Sequence, residues 1–453
     1  MKSKLGTLAI CLVAAGAAQA QDIEKKDLTL GFIKLTDMAP LAIALEKGFF
    51  ADEGLNVTLT AKKNWDEIQT GVLDGSLDAA HMLAGLPIAS VLDDDPVDLV
   101  APMSLDLNGN AITVANWIWA EMLPNVPKGA DGKLQHPISA AALLPLATVF
   151  KEESLPLDFS MVHRYSNHNY ELRYWLAAGG LNPGYYAPDD TAEKPGQILA
   201  DVFLAVTPPP ELPKALQSDL IFGYAVGEPW NQTAVQGKFG VAVITDHEIM
   251  PFNPEKVLGL RADFVEQNPN TTRALVRALI RAGMWLDADN QANRAEAVTI
   301  LARSDYIGAD AAVIGASMNG TFEFEPGDVR PAPEFNLFFD HFATYPYYSD
   351  AVWLLTQMRR WGDIPEGQAD AWYDEVARKV YRPDIYLDAA RSLVDDSLAA
   401  EADFPWDTDG YRPPEAGMID GVTYDGKTPN AYIDSLALGL KGQQRVVGGE
   451  VKD

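Results

Sequence analysis

Cysteine is nearly absent: Cys11 is the only one in 453 residues. A chain that loses its first twenty residues therefore has no disulfide, no thiolate metal site and no cysteine nucleophile. Positive charge is also scarce, with 35 Lys and Arg against 64 Asp and Glu and a formal net charge of −29. That balance excludes nucleic acid and anionic membrane surfaces as partners, and any anionic ligand must be held by local donors against the overall field. Enzyme motifs are wanting too. Neither G-x-S-x-G nor G-x-G-x-x-G occurs, and His247-Glu248 fails as a zinc-protease motif because Pro251 stands where the second His is required. Residues 421–428 have P-loop spacing, but Pro429 follows at once and no long strand precedes them, so they read as a hairpin around Tyr424-Asp425-Gly426.

What is present begins with a leader. Lys2 and Lys4 precede an apolar run from Leu8 to Ala15, and Ala18-Gln19-Ala20 offers a small-residue cleavage site. Residues 1–20 thus read as a secretory signal peptide, with an apolar part too short to span a bilayer. Cys11 lies inside that apolar part and behind Ile10, which argues against lipidation. Loss of Lys2 and Lys4 takes the net charge from −29 to −31. At 47% hydrophobic and 22% charged, the remainder can bury large cores and form more than one lobe.

From Asp27 onward, strand and helix patterns alternate. Strands are expected near 28–33, 56–60, 78–83, 99–103 and 111–115, with helices at 39–50, 66–74 and 86–92 between the first four. A second α/β series has helices at 138–151 and 169–179 and strands at 158–163, 201–206 and 219–226, interrupted by a Pro-rich insertion at 182–198. After strands at 241–245 and 257–260 the pattern turns helical, over 270–288, 291–303, 334–343, 349–361 and 367–379. Arg273, Arg277 and Arg281 share one helix face and read as a solvated one. The organisation expected is two doubly wound α/β lobes: 27–108 as the first part of lobe 1, 109–236 as lobe 2, and 237–453 as the return to lobe 1 with a helical C-terminal extension. The stretch 223–231, Gly-Tyr-Ala-Val-Gly-Glu-Pro-Trp-Asn, joins a strand end to a helix start, a geometry suited to an anion but more often a plain turn.

Several ordered segments carry a family likeness: Leu30-Gly31-Phe32-Ile33, Leu35-Thr36-Asp37, Ala39-Pro40, Glu46-Lys47-Gly48-Phe49-Phe50, residues 173–180, residues 226–231, Pro254-Glu255-Lys256, Arg261-Ala262-Asp263, Tyr345-Pro346-Tyr347 and Arg360-Trp361-Gly362. Together they resemble the substrate-binding proteins of bacterial nitrate and bicarbonate ABC transporters, from about Asp27 to beyond Ala431. The resemblance implies a type II periplasmic binding protein fold, two lobes closing on a small oxyanion such as nitrate or nitrite, a periplasmic location, and an ABC permease with its ATPase as partners. The insertion at 182–198 looks longer than the family pattern, and Asn110 stands where relatives carry Gln.

Five positions match ligand positions in nitrate-binding relatives: Trp65, Asn110, His168, Gly227 and Lys256. Read without the family, they are a core Trp, a turn Asn, a helix-cap or surface His, a turn Gly and a surface Lys. Nitrate has three equivalent oxygens and no proton, so its site should offer donors, at least one cation and no nearby free carboxylate. Lys256 is implied to neutralise the anion; bicarbonate-binding relatives tend to carry an acidic residue there, which can accept the bicarbonate proton. His81 is expected behind the ligating groups. No cofactor is expected; calcium, held by Asp37, Asp78 and Glu228, is the exception considered, against the plainer reading that these carboxylates cap helices. The alternatives are a bicarbonate or sulfonate binder of the same fold, a nitrate/nitrite sensor inside the cell, and a hydrolase using scattered carboxylates.

Overall fold

A computed structural model describes residues 22–93, 96–130, 132–188 and 195–453. The expected leader and residues 189–194 of the insertion lie outside the described residues. In chain order the strands that position the site are β1 (Asp27–Phe32), β2 (Asn56–Ala61), β3 (Ala79–Leu83), β4 (Leu99–Val100), β5 (Leu107–Asn108), β6 (Asn110–Ala115), β7 (Asp158–Met161), β8 (Phe203–Val206), β9 (Gly223–Gly227), β10 (Gly240–Thr245) and β11 (Lys256–Arg261). They build two five-stranded sheets, ordered β2-β1-β3-β11-β4 and β10-β6-β9-β7-β8. Each is mixed. β1 runs parallel to β2 and β3 while β11 returns antiparallel to β3, and β7 runs parallel to β8 and β9 while β6 is antiparallel to β9.

Local sequence explains these elements. β3 is buried at every position, as a central strand covered on both faces must be, whereas edge strand β2 has no buried residue. Helix Trp65–Leu73 starts where the Asn64 side chain accepts the Glu67 N–H at 2.9 Å, and it buries Trp65, Ile68 and Val72 at helical spacing. Helix Asn167–Ala178 is capped by Ser166, whose hydroxyl accepts from Asn169 N–H at 3.0 Å. Its first turns carry Asn167, His168, Asn169, Glu171 and Arg173, all buried. Polar groups in such number are buried only where they have partners or a task.

The C-terminal half departs from expectation in four places. The return to the first lobe does not begin at 237, because β10 pairs with β6 in the second sheet and the chain rejoins the first sheet only at β11. No helix forms over 334–343: Asn336–Leu337 pairs antiparallel with β5, and Asp340–Phe342 is a short 3-10 turn. The reason is Asp287, whose Oδ2 captures the N–H groups of Phe338, Phe339 and Asp340 at 2.9, 2.7 and 3.0 Å. The three arginines are not a solvated face. Arg277 binds Glu53 and Asp396, and Arg281 binds Asp52 and Glu53, tying helix Pro269–Gln291 to its neighbours. Nor is there a hairpin at 424–426: Tyr424 bridges to Glu415, and the Asp425 carboxylate accepts from Lys427 and Thr428 N–H ahead of helix Pro429–Ser435. Among the described residues no helix is long and apolar enough to cross a membrane.

Asp287 also holds the buried Arg294 at 2.6 Å. Asp287→Ala leaves that guanidinium without its counter-charge and three N–H groups without their acceptor, and is expected to cost about 3–5 kcal/mol. A urea denaturation midpoint lowered by that energy divided by the slope, with the slope unchanged, checks it.

Candidate functional site

The chain crosses between the sheets so that β11 begins, and β6 and β9 meet, at facing ends. Asn110 and Gly227 are direct partners across β6 and β9. Lys256 opens β11 opposite Leu83. The sheets touch there: Thr36 N and Oγ1 donate to the Glu228 carbonyl at 2.7 and 3.2 Å, and Trp230 Nε1 donates to the Lys34 carbonyl at 3.0 Å.

At this junction Lys256 is fully buried, which corrects the surface-lysine expectation. Its ammonium lies 2.7 Å from Asp37 Oδ2, contacts Glu255 Oε1, and sits 5.5 Å from the centre of the Trp65 ring. Sequence alternation would point Glu255 and Lys256 to opposite faces. They nevertheless meet where β11 begins, with Glu255 standing one residue before it. His168 Nε2 is 3.2 Å from Glu255 Oε1 but off hydrogen-bond alignment. Gly227 closes the ring of residues; a Cβ there would come within 3.3 Å of both Asn110 Oδ1 and Asp37 Oδ2. Thus Trp65, Asn110, His168, Gly227 and Lys256 surround one buried polar cluster.

Several of its groups have no partner among the described residues: Trp65 Nε1, both His168 ring nitrogens, Asn110 Oδ1, Glu255 Oε2 and Asp106 Oδ2. Buried polar atoms left unpaired are costly, about 1–3 kcal/mol each, and several of them converge on this one cluster. His81 is different. Its Nδ1 accepts from Ile33 N–H at 3.4 Å, so Nε2 carries the proton and donates to Asp37 Oδ1 at 2.7 Å. Burial lowers the His81 imidazole below its usual range despite Asp37, in keeping with that neutral tautomer.

The cluster is rich in acids, contrary to the expectation of a site without nearby carboxylates. Burial would raise Asp37, but the charge of Lys256 and the hydrogen bonds from His81 and Lys256 outweigh it and hold the carboxyl below the usual range. Burial opposes the Lys256 charge, and Asp37, Glu255 and Asp106 outweigh it, so the ammonium is held above its usual range. Glu255 is raised by burial, opposed by Lys256 and reinforced by Asp37, to about 6. Burial pushes Asp106, Glu171 and Asp246 well up, and it lowers His168, with Lys256 adding to that effect. At an effective dielectric near 20, a charge about 4 Å away is worth roughly 4 kcal/mol of either sign. One ammonium therefore cannot both neutralise Asp37 and hold an anion unless the other acids stay protonated.

Sequence reasoning missed Glu255, Asp106, Glu171, Asp246 and Asn253 as parts of this cluster. Glu171 accepts from Asn253 Nδ2 at 2.7 Å and from Asn110 Nδ2 at 3.3 Å. The available signal was an acidic residue beside Lys256 and a helix start made of polar residues. The calcium trio is not assembled: Asp78 takes Lys25 and Thr29 N–H, Asp37 takes Lys256 and His81, and Glu228 Oε2 accepts from Gln232 N–H. Among the described residues no group of three or more His, Cys, Asp or Glu side chains is arranged to hold a metal.

Two mixed α/β lobes clasped over a buried polar cluster define a periplasmic binding protein fold. The chain belongs to the NMT1-like family, whose sequence model matches residues 21–302. It is 31% identical over 431 residues to the nitrate/nitrite binding protein NrtA of Nostoc sp. (strain PCC 7120), an alignment spanning 93% of this chain and 88% of that one. It is 27% identical to the bicarbonate-binding protein CmpA of Synechococcus elongatus, spanning 93% and 89%. The crystal structure of the periplasmic nitrate-binding protein NrtA from Synechocystis PCC 6803 superposes with a TM-score of 0.78 at 29% identity, covering 92% of this chain and all of that one.

Glu228 provides a pH test of the junction. Burial raises its carboxyl from 4.5 to about 8, and Oε1 has no partner. The folded protein keeps this proton where the unfolded chain releases it, so the stability it lends is complete below about pH 4.5 and is lost as pH rises towards 8. Glu228→Gln is expected to melt near the wild-type temperature at pH 5 and above it at pH 8, as read by differential scanning calorimetry.

Proposed function

We propose that this chain captures nitrate, or nitrite, at the Lys256 cluster and delivers it to an ABC permease and its ATPase from the periplasm, after a leader is cut behind Ala20. The observation that carries the reading is the Lys256 ammonium, buried at the junction of the two sheets with Trp65 at its side and His168 beyond Glu255. Full-length similarity to NrtA supports it. In this role Lys256 supplies charge, Trp65 an N–H donor, His168 a ring N–H, Asn110 an amide N–H once it turns from Glu171, and the bare backbone of Gly227 allows close approach.

The roles divide between the sheets. Trp65 and Lys256 attach to the first; Asn110, Gly227 and the helix bearing His168 attach to the second. Because all five residues are buried, a ligand reaches them only when the lobes part, and it holds the lobes together by bonding to both. Such a cycle is capture and release without turnover.

Bicarbonate is the second reading, favoured by one observation: carboxylates of Asp37 and Glu255 flank Lys256 and can accept an O–H. A sulfonate fits less well, since its organic tail needs an apolar extension. A cavity of 860 Å³ lined by Phe252, Tyr347, Tyr411 and Tyr424 shares no residue with the cluster.

A thermal-shift screen against nitrate, nitrite, bicarbonate, cyanate and sulfate, with and without calcium, should give a rise for nitrate or nitrite. Titration calorimetry should then find nitrate affinity reduced on the order of 100-fold or more in Lys256→Glu, the size expected when a buried charge partner is lost. Unchanged affinity in that variant removes Lys256 from the site.

A further inference from the structure

The acids around Lys256 have unequal freedom to change charge. Asp37 has both oxygens engaged, Oδ2 by Lys256 and Oδ1 by His81. Asp106 Oδ1 accepts the Lys256 backbone N–H at 3.0 Å, and Glu171 accepts from Asn253 and Asn110. Glu255 alone touches the ammonium with one oxygen while its other oxygen is buried and without a partner among the described residues. It faces charged and titratable groups on every side: Lys256 next to it in the chain, Asp37 from the turn after β1, Asp106 from the segment before β5, His168 and Glu171 from helix Asn167–Ala178, and Asp246 from helix Asp246–Ile249. Asn110 of β6 is the neutral group beside them.

We infer that the anion is captured together with one proton, which passes from bulk water to the free oxygen of Glu255 and rides there as long as the ligand is bound. As a carboxylate, Glu255 competes for Lys256 and repels an incoming anion. As an acid, it frees the ammonium and turns its unpaired acceptor into an O–H donor directed at the cluster. No bond other than that O–H forms, and the net charge of the closed site is the same before and after capture. Burial has already brought Glu255 to about 6, within reach of neutral pH, whereas Asp106, Glu171 and Asp246 are raised well above the usual range and Asp37 is held below it.

This inference rests on the anion-capture reading, and one calorimetric series separates the two. Nitrate is titrated into the wild-type protein at pH 7.5 in HEPES and in Tris, which release different heats on giving up a proton, and the affinity is followed from pH 5.5 to 8. The expected result is a heat that differs between buffers by close to one proton per nitrate, with affinity falling about tenfold per pH unit above pH 6.5. In Glu255→Gln the heats should coincide and the affinity should be flat with pH. Equal heats in the wild type, or proton uptake that persists in the variant, overturn the inference while leaving nitrate binding intact. Absence of nitrate binding at every pH overturns both readings together. Should circular dichroism show the variant unfolded, the wild-type buffer pair and pH slope decide the matter by themselves.

Discussion

Everything at the junction depends on keeping one ammonium charged where water cannot reach it. Lys256 is held by a relay that begins in the backbone: Ile33 N–H fixes His81, His81 fixes Asp37, and Asp37 meets the lysine. All four belong to the first sheet and its adjoining turn. Breaking such a buried pair from either side typically costs about 3–5 kcal/mol, several times the value of an exposed one. The cation is thus built into one lobe as part of its core, and the second lobe brings amide, imidazole and bare backbone up to it.

That division makes opening inexpensive relative to unfolding. Besides the His163–Asp66 pair, the hydrogen bonds across the junction include Thr36 to Glu228, Trp230 to Lys34, and Asn167 to the Pro254 carbonyl. Each is a neutral hydrogen bond worth about 1 kcal/mol net, and water replaces it when the lobes part. A ligand that makes charge-assisted bonds to both sides exceeds that sum, so its binding energy is enough to shift the balance between open and closed forms.

Much of this was legible in the sequence, for reasons that mark where it ceased to be. Strands such as 79–83 and 110–115 announce themselves by mostly apolar character, and helix 65–73 by its apolar periodicity. The α/β alternation follows from those patterns, and the five site positions came from the family likeness, since Trp65 or Lys256 alone reads as packing or surface. What failed was non-local. Residues 334–343 look helical until Asp287, nearly fifty residues upstream, takes their N–H groups. Arg277 looks solvated until Glu53 and Asp396 arrive from other elements. Periodicity reports which face is apolar and is silent about which distant carboxylate will meet a charged one.

The acids around Lys256 show why reasoning from the ligand alone falls short. Nitrate by itself asks for donors only, and a cage of donors was the expectation. A receptor, however, must also be stable when its cleft holds no anion, and a buried ammonium without a counter-charge is far costlier than one beside a carboxylate. Asp37 meets that requirement permanently, whereas Glu255 meets it with a group that can lose its charge without losing its place. The same carboxyl accepts an O–H when ionised and donates one when protonated, so on the proposed reading the choice between a proton-free and a proton-bearing oxyanion lies in the state of Glu255 as much as in the identity of Lys256.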